Sequence, residues 1–111
     1  MNIKMLAPLT LTLLWGQAYA AEGSIAISSP EKGAMVSSKS KVPVTYAATL
    51  GPTGNHLHLN VDDNRVDVLR QIKGTAELDP LPVGKHHVCL TENTASHAPT
   101  GVETCVDITA Q

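Results

Sequence analysis

Apolar and polar residues alternate in short runs along most of this chain, and turn-forming residues separate the runs. Ile25 and Ile27 alternate with Ser24, Ala26 and Ser28 until Ser29-Pro30 and Glu31-Lys32-Gly33 intervene, which predicts a first strand and a turn. Met35-Val36 is a short extended continuation. Val42 to Leu50 places Val42, Val44, Tyr46, Ala48 and Leu50 on one face, with Pro43 near the start, where a strand tolerates it. A loop, Gly51-Pro52-Thr53-Gly54-Asn55, leads into the clearest run of all, His56-Leu57-His58-Leu59-Asn60-Val61. Its strict period of two is the pattern of a half-buried strand. Leu57, Leu59 and Val61 point one way; His56, His58 and Asn60 point the other, onto a face expected to be wet.

After the turn Asp62-Asp63-Asn64 the pattern becomes ambiguous. Val66 and Val68 fit a strand over 65–72, whereas Val68, Leu69 and Ile72 fit a helical turn; the edge strand is preferred. Thr75 to Leu78 reads as a short strand and Pro80-Leu81-Pro82-Val83-Gly84 as a rigid corner. Lys85 to Glu92 and Val102 to Thr109 are the last two strands. Six to eight short strands with turn signals every ten or so residues predict an all-β fold, an immunoglobulin-like antiparallel β-sandwich of about seven strands.

The last hairpin can be tested for register. If the loop over 93–101 is centred on His97, Val88 faces Val106, Leu90 faces Thr104 and His86 faces Ile108. On the other side Cys89 faces Cys105 and His87 faces Asp107. The register that aligns the apolar residues therefore also brings the cysteines together, at a separation a disulfide can close. Such a bridge contributes about 3 kcal/mol in the chain-entropy picture. It would staple neighbouring strands on the outer face of one sheet.

The start of the chain has a different pattern. Lys4 precedes an apolar run from Met5 to Trp15, and Gly16 to Ala20 ends in an Ala-x-Ala site. Residues 1–20 are expected to be a secretory signal peptide, with the domain over 21–111. The run is too short for a membrane span, which needs about 20 residues. The expected location is periplasmic or secreted, an oxidising compartment in which an even number of cysteines pairs by default.

Composition then removes several function classes. Removing 20 of the 111 residues takes Lys4 with it, leaving seven basic residues against ten acidic and no basic run. The electrostatic term behind nucleic-acid binding is missing. The chain has no Phe, and its Trp and one of its two Tyr lie in the expected signal peptide, so Tyr46 is the one aromatic remaining. An exposed aromatic platform for polysaccharide or single-stranded nucleic acid cannot be built from that.

The corner Leu81-Pro82-Val83-Gly84-Lys85-His86 resembles the corner before the sixth strand of bacterial immunoglobulin-like domains. Together with His56-Leu57-His58, Val61-Asp62-Asp63 and Asn93-Thr94-x-x-His97, it is similar to a family of small exported bacterial domains with no assigned activity. The resemblance spans roughly Asn55 to His97. It implies the fold and export, and supplies no chemistry; His87 and the cysteine pair depart from the pattern.

The candidate chemistry lies with the histidines. Alternate residues on one strand share a face about 7 Å apart, so His56 and His58 can converge on one ion, and imidazole suits Zn and Cu. His97 or His87 could supply a third nitrogen, with Asp107 as a weaker oxygen candidate. The competing expectation is a solvated polar face with incidental histidines. His86 is expected to be structural, facing the core where a corner tyrosine hydrogen-bonds back to the chain in immunoglobulin domains. Asp62, Asp63, Asn64 and Asp67 match no calcium loop and read as a turn. No serine lies in a nucleophile context, a paired cysteine cannot attack, and Ala21 at the expected mature terminus excludes an amino-terminal histidine brace. The sequence thus favours a non-enzymatic binding module that uses a Cu or Zn ion on the His-x-His face. The alternative is a structural or protein-interaction domain with an unidentified protein partner and no metal.

Overall fold

The computed structural model describes residues 22–111; the expected signal peptide over 1–20 lies outside the described residues. Eight strands follow one another: β1 (Ser24–Ser29), β2 (Met35–Val36), β3 (Val42–Thr49), β4 (His56–Val61), β5 (Asn64–Leu69), β6 (Lys73–Leu78), β7 (Gly84–Asn93) and β8 (Pro99–Ala110). They form a three-stranded sheet, β1-β3-β6, and a five-stranded sheet, β2-β8-β7-β4-β5. No described residue is α-helical. The count is one more than the seven expected, and the ambiguous segment after Asp63 is the edge strand β5.

The two sheets meet through the residues whose alternation predicted the strands. Val42, Val44 and Tyr46 of β3 and Ala76 and Leu78 of β6 face Leu57, Leu59, Val61, Val88, Leu90 and Ile108 of the larger sheet, all buried. Leu57, Val88 and Leu90 have no exposed surface. The Tyr46 hydroxyl satisfies itself on the Gln71 carbonyl at 2.9 Å, so a polar group at the core edge is not left unpaired.

In the β7–β8 hairpin His86 pairs with Ile108, His87 with Asp107, Val88 with Val106, Cys89 with Cys105 and Leu90 with Thr104. This is the register that hydrophobic alignment and cysteine pairing jointly require. Cys89 and Cys105 form a disulfide. Reducing it should lower the unfolding free energy by roughly 3 kcal/mol, read as a lower urea midpoint for the reduced protein. Beyond Thr91 the register shifts, Asn93 pairs with Pro99, and the connection tightens to a turn over 94–98.

β4 lies between β7 and β5, so the strand that carries His56 and His58 is internal to its sheet. His56 pairs with Asn93 and His58 with Thr91. On the opposite face of the same strand Leu57 pairs with Glu92 and Leu59 with Leu90.

Candidate metal centre

The histidine face is covered, which differs from the wet face expected from the alternation. His56 is 0% exposed and His58 8%. The reason is local. The chain leaves β7 at Asn93 and turns back, with the Thr94 amide on the Ala98 carbonyl at 2.8 Å and the His97 amide on the Thr94 carbonyl at 2.9 Å. The Thr94 hydroxyl also accepts from the Ala98 amide at 3.2 Å. His97 adopts φ +69° in this turn, an uncommon conformation for a residue with a Cβ. That turn lays its imidazole over the two strand histidines.

Three ring nitrogens converge as a result. His56 Nε2 lies 3.0 Å from His58 Nε2 and 3.2 Å from His97 Nδ1; His58 Nε2 lies 3.1 Å from His97 Nδ1. A single N–H could serve this triangle only through a shared hydrogen bond, whereas one cation accepts all three lone pairs. Tetrahedral coordination with bonds of about 2.0–2.1 Å separates nitrogens by about 3.3 Å, close to what is found. The three residues alone satisfy this geometry, and no Asp, Glu or Cys joins them among the described residues.

The far side of His56 is fixed as a metal ligand requires. Its Nδ1–H donates to Asn55 Oδ1 at 2.8 Å, leaving the Nε2 lone pair directed into the triangle. Asn55 is held in turn by Arg70, whose Nη1 donates to the same oxygen at 3.4 Å, and by its own amide on the Asn93 carbonyl at 2.8 Å. Outer partners of this kind typically contribute 10- to 100-fold to metal affinity. Asn55→Ala is therefore expected to weaken Zn²⁺ binding by about ten-fold in a competition titration.

Burial is the main cause that holds the His56 imidazole below its ordinary pKa, with Arg70, His97 and Arg65 adding to it. His58 is lowered by burial first, then by His56 and Arg65. Both rings therefore stay neutral, and able to bind metal, below the usual histidine range of about 6.5.

His87 does not belong to this cluster, which corrects its place among the candidate ligands. It lies four residues along β7 from Thr91, the partner of His58, and a strand rise of about 3.3 Å per residue puts that near 13 Å away. Its Nδ1 pairs instead with Asp107 Oδ1 at 2.5 Å, and Asp107 is equally remote from the triangle. His87 also lies near Cys89 and Cys105, but disulfide sulfurs are not thiolate ligands.

His86 lies at the corner. Its Nε2 donates to the Pro82 carbonyl at 2.6 Å, and its Nδ1 to Asp62 Oδ2 at 2.7 Å. Two acceptors favour the doubly protonated ring, and His86 is raised by the Pro82 carbonyl first and by Asp62 second. Asp62, at φ +52°, also accepts from the His87 amide at 2.8 Å. Its carboxyl is lowered by that bond first, then by His86. The sign follows for each group. His86 stabilises below its unfolded pKa of about 6.5 and that contribution is lost as pH rises through its higher folded value. Asp62 stabilises above about 3.9 and its contribution is lost as pH falls through its lower folded value. The wild type should therefore lose more stability than His86→Phe between pH 5 and pH 8, as compared by urea midpoints.

Two features of the site were not anticipated from sequence. Asn93, 2% exposed, pairs with His56. Glu92, also 2% exposed, points to the other face at the same end. Its carboxylate accepts from the Gly51 amide at 2.8 Å and from the Thr100 hydroxyl at 2.5 Å. A Cβ at Gly54 would fall 2.5 Å from that carboxylate, so glycine there makes room for it. Glu92 thus ties the loop before His56 to the strand after His97. The legible signal was a charged residue in phase with Val88 and Leu90.

No family model matches the chain, and no curated protein matches it. Solved structures do. The chain is similar to the Clostridium thermocellum CbhA fibronectin(III)-like modules, at 14% identity over 78% of this chain and 96% of that one, with a TM-score of 0.66. It is also similar to a Jonesia denitrificans lytic polysaccharide monooxygenase, at 19% identity over 74% of this chain and 60% of that one, with a TM-score of 0.53. At these identities the likeness is one of fold. The chain is an all-β sandwich of the immunoglobulin-like, fibronectin III-like kind.

Proposed function

We propose that this chain is an exported, non-enzymatic binding module that holds one transition-metal ion, Cu²⁺ or Zn²⁺, on His56, His58 and His97. The observation that carries this is the triangle of ring nitrogens 3.0 to 3.2 Å apart. Fixing the His56 tautomer through Asn55 Oδ1 supports it. The disulfide fits export into an oxidising compartment, as does the resemblance to small exported bacterial domains. The fibronectin(III)-like neighbour favours a binding role; the monooxygenase is matched over 60% of its length, and its activity is not carried over.

A ligand that binds the folded state at 100 times its Kd stabilises it by about 2.7 kcal/mol, and 1 kcal/mol moves the Tm of a domain this size by about 4–8 °C. Saturating Zn²⁺ should therefore raise the melting temperature by about 10 °C or more, reversed by a chelator. An unchanged melting temperature would leave the second reading, a structural or protein-interaction domain, which the fibronectin(III)-like likeness also suits.

A further inference from the structure

A second group of metal-binding side chains lies apart from the three histidines, on the outer face of the same sheet. Cys89 and Cys105 face each other across β7 and β8, and His87 and Asp107 face each other two residues along the same ladder. One ring nitrogen of His87 and the two Sγ atoms all lie within 4.8 Å of one another. The His87 Nδ1–H donates to Asp107 Oδ1 at 2.5 Å. That bond leaves the Nε2 lone pair free and holds the ring as the outer partner of a metal-bound histidine does.

While the disulfide is intact its sulfurs carry no thiolate charge. Reduction by a dithiol changes this: the S–S bond breaks, two electrons and two protons pass to the sulfurs, and the dithiol closes into its own disulfide. The fold keeps the two thiols together. Their Cα atoms are 4.0 Å apart, the hairpin ladder continues on both sides of them, and neither belongs to the apolar core between the sheets. Cys105 is partly exposed, which opens the pair to a reductant in solvent. Tetrahedral Zn²⁺, with bonds of about 2.3 Å to sulfur and about 2.0–2.1 Å to nitrogen, separates two sulfurs by about 3.8 Å and sulfur from nitrogen by about 3.5 Å. Both separations fit within the 4.8 Å that already encloses the three atoms, so rotation of the side chains is enough. Two thiolates also cancel the charge of a divalent ion, and sulfur ligands select Zn²⁺ over Mg²⁺ or Ca²⁺.

We infer that Cys89, Cys105 and His87 form a redox-gated Zn²⁺ site, closed by the disulfide and opened by its reduction, with Asp107 as the positioning residue behind His87. The site shares no ligand with the one proposed on His56, His58 and His97 and does not rest on it.

The test uses Co²⁺ as the probe, because thiolate-to-cobalt charge transfer gives a near-ultraviolet band that imidazole ligands do not. The reductant is a phosphine, which is oxidised to its oxide with oxygen from water and brings no competing thiol. The reduced protein should show the band, saturating at one Co²⁺ per pair of thiols, and the oxidised protein should show none. His58→Ala should keep the band in full, and Cys105→Ser should lose it. His87→Ala and Asp107→Asn should each weaken Co²⁺ binding by the reduced protein by about ten-fold or more. Urea separates a folded site from loose thiols: unfolding the reduced protein should abolish the band. A reduced protein without the band, a band that survives in urea, or a band that His87→Ala leaves unchanged would overturn the inference. Each of those results leaves the three-histidine site standing, because the oxidised protein tests that site alone.

Discussion

Replacing His58 with alanine is expected to lower Zn²⁺ or Cu²⁺ affinity by at least about 100-fold. His58 Nε2 lies 3.0 Å from His56 Nε2 and 3.1 Å from His97 Nδ1, so it is central to the triangle. Outer partners alone typically contribute 10- to 100-fold, and the loss of a direct ligand should reach at least the upper end of that range. His97→Ala should behave similarly, because the two strand histidines cannot close a three-nitrogen site. His87→Ala should bind as the wild type does, since His87 pairs with Asp107. Competition titration against a metallochromic indicator reads all three variants. Circular dichroism of the metal-free proteins separates loss of ligand from loss of fold. Equal binding by wild type and His58→Ala would contradict the site.

The second large effect is on stability. Leu57→Ala should cost about 2–5 kcal/mol of unfolding free energy. Leu57 is 0% exposed, lies between the two histidines on β4, and belongs to the core shared by both sheets. With β3 and β6 on one side and its own sheet fixed by pairing on both edges, the backbone cannot collapse to refill the space. A urea titration should show a lower midpoint with an unchanged slope. A loss below about 1 kcal/mol would mean that β4 is not a central strand. The same substitution should lower metal affinity less than His58→Ala, because it removes packing behind the ligands rather than a ligand.

These two predictions separate what the sequence made legible from what it left open. The inward set Leu57, Leu59 and Val61 follows from a period of two, and so does the pairing of Cys89 with Cys105, because register in a hairpin is fixed once one face must be apolar. Alternation also puts His56 and His58 on one face. It does not say whether that face is wet. Their burial depends on β5 flanking β4 and on a turn that returns His97 over the strand, and neither is encoded in the alternation. His97 needs φ +69° to reach the site, a conformation that histidine adopts more often than most residues but still uncommonly, and that the alternation does not signal. His87 and His97 therefore remained equal candidates until strand rise and turn geometry separated them.

Asn55 and Glu92 illustrate a different gap. Each acts through a partner distant in sequence: Asn55 through Arg70 and the Asn93 carbonyl, Glu92 through Gly51 and Thr100. A buried carboxylate with only neutral donors around it is costly unless its hydrogen bonds are made. Its presence at the base of the histidine end indicates that loop placement there matters enough to offset that cost. Sequence alone showed a glutamate out of keeping with its apolar neighbours on the strand, and nothing of what it holds.

The central claim is that three imidazoles of this chain share one ion, and X-ray absorption at the zinc edge of the protein loaded with one equivalent of Zn²⁺ tests it most directly. The expected spectrum shows three imidazole nitrogens at about 2.0 Å, with ring scattering, and one further oxygen donor without it. A shell of oxygens alone, or one fitted by a single imidazole, would contradict it.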